Sequence, residues 1–177
     1  MMTTYLIKKN MRSQHEPQVF SAVIKDAGIE RNFLDARSSS LITSTSLTPV
    51  LSWENLRLPE RLIHGMKIIG FSNLQKETYE DWLSINNQPS CLTPLITNPH
   101  VTLISERQSE QIINNHDYRW SIIYTLTRPG FSIDFSQALI QITAHCPAGP
   151  PQYGSLLYLE RTSEQWQVQS SYGLYNQ

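Results

Sequence analysis

Three stretches near the C-terminus alternate with a period of two, and this constrains the fold more than anything upstream. Trp120, Ile122, Tyr124 and Leu126 alternate with Ser121, Ile123, Thr125 and Thr127. Ala138, Ile140, Ile142 and Ala144 alternate with Gln137, Leu139, Gln141 and Thr143. Trp166, Val168, Ser170 and Tyr172 alternate with Gln165, Gln167, Gln169 and Ser171, and Tyr153 to Arg161 between them is apolar on both sides in its middle. Successive side chains of a strand point to opposite faces, so this pattern predicts antiparallel strands with one buried and one wetter face. Pro129–Gly130, Pro147 to Pro151 and Thr162 to Glu164 supply the turns. The expectation is a four-stranded antiparallel meander.

Helical spacing dominates upstream. Phe20, Val23, Ile24 and Ala27 recur on one face between Glu16 and Asp26, with Pro17 in a first turn and Gly28 as a stop. Ser38 to Thr48 reads as an edge strand before Pro49, and Trp53 to Ile69 as a short helix broken near Pro59. Ser72 with Gln75 forms the pattern of a capping box, opening a helix that buries Leu74, Thr78, Trp82 and Ile85 and ends near Asn86–Asn87. His100 to Ile104 reads as a short strand. Ser105 with Gln108 repeats the capping-box pattern for a helix to about Asn114, burying Ile112 or Ile113. Strands grouped after helices predict one α+β domain over residues 1–177, with residues 1–12 as a loose tail. The sheet is expected to be curved and packed on one face by the N-terminal and central helices, leaving the Gln and Thr rows solvated.

Charge narrows the function. Charged residues make up 16% of the 177 residues, against about 25% in ordinary domains, and the net charge is −1. No field of either sign exists to gather on a polyanion, and the one basic knot, Lys8, Lys9 and Arg12, reads as solvated tail, so nucleic acid is not the expected partner. No apolar run is long enough for a membrane span, and the start of the chain lacks the order of a secretory signal. Two cysteines, Cys91 and Cys146, fit no compact metal spacing; reduced thiols in the cytoplasm are the expectation.

No constellation of reactive groups stands out. The five histidines, His15, His64, His100, His116 and His145, include no pair at i, i+4, and His145 and Cys146 as strand neighbours point to opposite faces. Neither a metal nor a cofactor is implied. Glu80–Asp81 reads as a solvated pair and Asp134 as a turn residue. Cys146 is the one candidate nucleophile, with His116 and Asp117 as distant partners, but it leads into a proline-rich turn rather than a helix N-terminus that would activate it.

The aromatic residues carry more. Four tryptophans and eight tyrosines are many amphipathic rings for a chain of 177 residues. Such rings fill cores and also seat partners. Trp120, Tyr124, Ile140 and Trp166 would line a pocket in the concave face of the sheet. Tyr172, Leu174 and Tyr175 would form a partner surface at the end of the last strand, with Gly173 allowing a bend.

Several segments resemble a group of uncharacterised bacterial proteins: Glu77-Thr78 through Asp81-Trp82 to Asn86, Arg128-Pro129-Gly130-Phe131-Ser132, Gln137-Ala138-Leu139-Ile140, and Gly154 through Leu156-Leu157-Tyr158-Leu159 to Trp166 and Val168. Members end in a glycine-led strand, a turn and a Trp-x-Ile/Val strand, and the closing hairpin is similar to those of cystatin-like and nuclear-transport-factor-like domains. The resemblance implies a curved antiparallel sheet with helices on one side and transfers no activity. It also departs at Cys146 to Pro151, where several relatives carry a Cys/Gly-rich loop. The expected function is a non-catalytic domain that binds another protein or a second copy of itself, of the adaptor, inhibitor or immunity type. The alternative is a small-molecule pocket protein, with or without catalysis.

Overall fold

A computed structural model of the protein describes residues 2–30, 32–42, 51–59, 61–63, 66–68, 70–118 and 120–176. In chain order the elements are helix α1 (Met2–Asp26), strand β1 (Phe33–Asp35), helix α2 (Trp53–Leu56), strands β2 (Arg61–Ile63) and β3 (Met66–Ile68), helix α3 (Lys76–Ile85), strand β4 (Thr102–Ile104), helix α4 (Glu106–Asn114), a 3-10 turn (His116–Tyr118), and strands β5 (Ile123–Leu126), β6 (Gly130–Phe131), β7 (Gln137–Cys146), β8 (Gly149–Thr162) and β9 (Gln165–Asn176). The fold is α+β with a mostly antiparallel sheet.

That sheet is wider than a four-stranded meander. Its order is β4-β1-β5-β7-β8-β9, with β6 also paired to β7, and β2–β3 form a separate hairpin. β5, β7, β8 and β9 are antiparallel neighbours, while β1 runs parallel to both β4 and β5. Ser163 and Glu164, at φ 49° and 69°, make the tight turn between β8 and β9 in the left-handed conformation that suits a two-residue hairpin loop.

Both faces of the sheet are covered, not one. On the first, Val19, Phe20, Val23 and Ile24 of α1 pack on Leu126, Ala138, Ile140, Ile142, Leu157, Leu159 and Trp166. On the second, Leu56, Phe71, Leu74 and Trp82 pack on Leu139, Leu156, Tyr158, Tyr172 and Leu174. A small third cluster joins Ile112 of α4 to Ile104 and Ile123. Of the Gln residues expected to be solvated, Gln165, Gln167 and Gln169 of β9 are exposed, but Gln137 and Gln141 of β7 lie under this second layer, 7% and 0% exposed. Their amides replace water with loop backbone. Gln137 accepts from the Gln75 amide and donates to the Asn73 carbonyl, both at 2.9 Å, and Gln141 accepts from the Ile42 amide at 2.9 Å and donates to the Ser40 carbonyl at 3.3 Å.

These bonds move other boundaries. α3 begins at Lys76 with Gln75 as its N-cap and no side-chain cap, because Gln137 holds the Gln75 amide and the Ser72 box does not form. The Ser105–Gln108 box does form, and α4 buries Ile112 while leaving Ile113 43% exposed. Helix α1 extends well upstream of Glu16, through the residues expected to be loose, and runs through Pro17. Beyond Pro59 the expected helix is replaced by the β2–β3 hairpin; a segment bounded by Pro59 and Gly65 is too short to hold a helix by its own bonds. Of the strand expected at Ser38 to Thr48, residues 43–48 lie outside the described residues and 38–42 form no strand.

The last strand changes face midway. Tyr158 pairs with Ser170 and Leu159 with Val168, so Gln169 is an extra residue that shifts the register. Trp166 and Val168 therefore face α1, whereas Tyr172 and Leu174 face the opposite layer. A second shift at Gly154/Ser155 makes Leu174 an extra residue too and lays the Tyr175 ring over Gly154, where a side chain would not fit. Tyr172 and Leu174 are 1% and 0% exposed, so they are core rather than surface. Leu174→Ala is expected to destabilise the domain by about 2–5 kcal/mol in urea unfolding, as buried Leu truncations do, whereas Ile133→Ala, at a side chain 74% exposed, should shift it little.

Candidate functional site

Three places gather chemically distinctive side chains. The first is a cluster of charges between α1, α3 and the β5–β6 turn. Glu16 is 2% exposed and is held by Arg128, whose Nη2 donates to both carboxylate oxygens at 2.8 Å and whose Nε donates at 3.0 Å. Arg12 bonds Glu16 at 3.4 Å, the Pro129 carbonyl at 2.9 Å and the Asp81 carboxylate, and lies over the Phe131 ring. Asp81 also accepts from the Phe131 amide at 2.7 Å. Arg12 is thus not solvated tail, and Asp81 is not half of a solvated pair; Glu80, 59% exposed, is the solvated member. The arrangement fastens α1 and α3 to the β6 turn, with charge balanced inside the cluster. Removing one partner of such a buried pair strands the other. Glu16→Gln is expected to cost about 3 kcal/mol in chemical denaturation, and Lys76→Ala, at an exposed pair, well under 1 kcal/mol.

The second place is the cleft at the C-terminal ends of the parallel strands β1 and β4, lined by Asp35, Arg37, Ser90, Cys91, Ser105 and Glu106. Cys91 is exposed, and hydrogen bonds from the Thr93 side chain and backbone hold its thiol below the usual value. Cys146, the thiol singled out by sequence, is 1% exposed at the end of β7, while its neighbour His145 is exposed, as opposite faces of a strand require. Asp117 is exposed on the 3-10 turn, and the His116 side chain lies outside the described residues. Nothing in sequence spacing separates the two cysteines; only the depth of β7 in the sheet does. Native protein treated with iodoacetamide near neutral pH is expected to take one label, on Cys91 by peptide mass, and a second only after denaturation.

The third place is an open groove of about 810 Å³ beside the edge strand β4, between it and α4. Phe33, Ile104 and Ile112 supply its apolar wall, and Arg107, Gln111 and Asn115 its polar rim. Tyr118 stands over it, 47% exposed and edge-on to Phe33 at 6.2 Å. Two residues on, Trp120 is 66% exposed. The expected strand starts at Trp120, but β5 starts at Ile123, so Trp120 falls before the alternation and is not turned into the core.

The expected pocket therefore does not come together as a set. Tyr124, Ile140 and Trp166 are 5%, 0% and 6% exposed and packed in the core under α1, apart from Trp120. Tyr153, partly buried next to Tyr124, is pushed up to about 12 by burial first and by the Tyr124 hydroxyl second. Among the described residues no three His, Cys, Asp or Glu side chains are grouped as metal ligands, and no helix is long and apolar enough to cross a membrane. Comparison of the chain with protein-family models, with curated proteins and with solved structures finds no match.

Proposed function

We propose that this chain is a non-catalytic protein-binding domain, of the adaptor, inhibitor or immunity type, that seats a partner polypeptide on the groove between α4 and β4. One observation carries the reading: Tyr118 lines the open groove, and Ile113 and Trp120, within the same eight residues of chain, also expose large apolar side chains. Tryptophan and tyrosine are the side chains that most often supply binding energy at protein interfaces. The groove supports this reading further. Its wall is apolar and its rim is amide-rich, the division found across protein interfaces. The thiol of Cys91 and the balanced Glu16 cluster do not converge with it into a reactive set, which favours binding over catalysis.

The surface also differs from the one sequence suggests, since Tyr172 and Leu174 are buried. A photo-crosslinker at position 118, used in native lysate, is expected to join one partner, or a second copy, at the groove. Trp120→Ala should weaken that complex about 30-fold or more, a loss of at least 2 kcal/mol typical of a central aromatic. Ile133→Ala, equally exposed elsewhere, should leave it unchanged, and both variants should keep the parent melting temperature. A chain that gives no specific crosslink and elutes alone at its own mass at high concentration is not a domain of this kind.

A further inference from the structure

Where helix α1 meets the β8–β9 hairpin, one imidazole sits among the packed side chains. His15 is 6% exposed, with its ring centroid 5.3 Å from Phe135, 5.8 Å from Trp166 and 6.5 Å from Phe131. Both ring nitrogens face donors. Arg161 Nη1 of β8 is 3.0 Å from Nε2, and Trp166 Nε1 of β9 is 3.4 Å from Nδ1. A guanidinium and an indole N–H donate only, while a neutral imidazole offers one lone pair. The neutral ring can accept one of the two bonds; a ring carrying a second proton can accept neither, and presents its charge to a guanidinium.

The geometry points to His15 as a proton-sensitive latch, closed while the ring is neutral and opened along the α1–β9 seam when it gains a proton. The surroundings offer little to offset that charge. On α1, Glu16 is taken up by Arg128 and Arg12, and Arg12 adds a cation over Phe131. In the turn before β7, Asp134 is engaged by Ser132 and Ser136. From β8 the facing charge is Arg161, and from β9 the facing group is the Trp166 indole. Burial first, and then the Arg161 cation, hold His15 below its ordinary value of 6.5, with the Gln18 amide pulling weakly the other way. A site whose folded value is depressed stabilises the closed form above the unfolded value and loses that contribution as pH falls through 6.5 towards the folded one. The seam has somewhere to open: a shallow groove of about 360 Å³ already runs between Gln18, Ala22 and Lys25 on α1 and Glu164 to Trp166 on the hairpin.

The test is an NMR pH titration of the full chain, following the His15 ring, the Trp166 indole N–H and amide exchange. The His15 midpoint is expected below the ordinary value, and the opening of amides 18–26 and 165–168, taken as their exchange rate divided by the intrinsic base-catalysed rate at each pH, should rise with the same midpoint. Each unit by which that midpoint is depressed should enlarge the opening about tenfold. Amides of β7 should stay protected throughout. In Arg161→Gln the midpoint should rise towards the ordinary value, and in His15→Phe the acid-induced opening should vanish. A His15 midpoint at or above the ordinary value, an opening that persists in His15→Phe, or exchange of β7 in step with the seam would each overturn the latch. None of these readouts depends on the α4–β4 groove.

Discussion

Strand β7 is buried on both faces, and the rest of the molecule is arranged to make that tolerable. A strand with alternating Ile and Gln should leave its amides in water, since burying an amide without partners costs several kcal/mol. Here Gln137 and Gln141 act as substitutes for backbone, each accepting from one loop amide and donating to one loop carbonyl. Thr127 adds to the system: its hydroxyl accepts from the Gln141 backbone N–H at 2.9 Å and from the Trp82 indole at 3.1 Å. The loops at 40–42 and 73–75, and with them α3, are therefore positioned by side chains of the strand they cover.

A second constraint fixes α3 from its other side. Gly130 lies against the backbone of Trp82 so closely that a β-carbon there would overlap it. Such an approach sets Asp81 against the turn, where its carboxylate serves the Phe131 amide and the Arg12 guanidinium together. The Glu16–Arg128 pair sits next to it and ties in α1. Close backbone approach and paired charges thus meet at one point, and the charges make the contact specific.

Much of this architecture was legible in the sequence, and the failures share a cause. Alternation marked β7 and β9, helical spacing marked α1 and α3, and a capping box marked α4, because those signals are local. The three-residue strand Phe33–Asp35 carries no period of its own and exists only because β4 and β5 flank it. Gln137 and Gln141 look like solvent-facing residues until the loops that cover them are placed. Trp120 looks like the first residue of a strand, yet pairing begins three residues later and leaves it outside. Cys91, in a loop without pattern, offered nothing to separate it from Cys146. His15 was one histidine of five, and its two donors come from residues 146 and 151 positions away in the chain.

The change of face in β9 ties the two halves of the molecule together. Its first residues contribute Trp166 to the layer under α1, and its last contribute Tyr172 and Leu174 to the layer under α3. Like β7 and β8, which reach both layers by simple alternation, β9 thus belongs to both hydrophobic clusters. Two layers built from separate strands could unfold in succession; here three shared strands couple their global unfolding, and only the margin of a layer can open by itself.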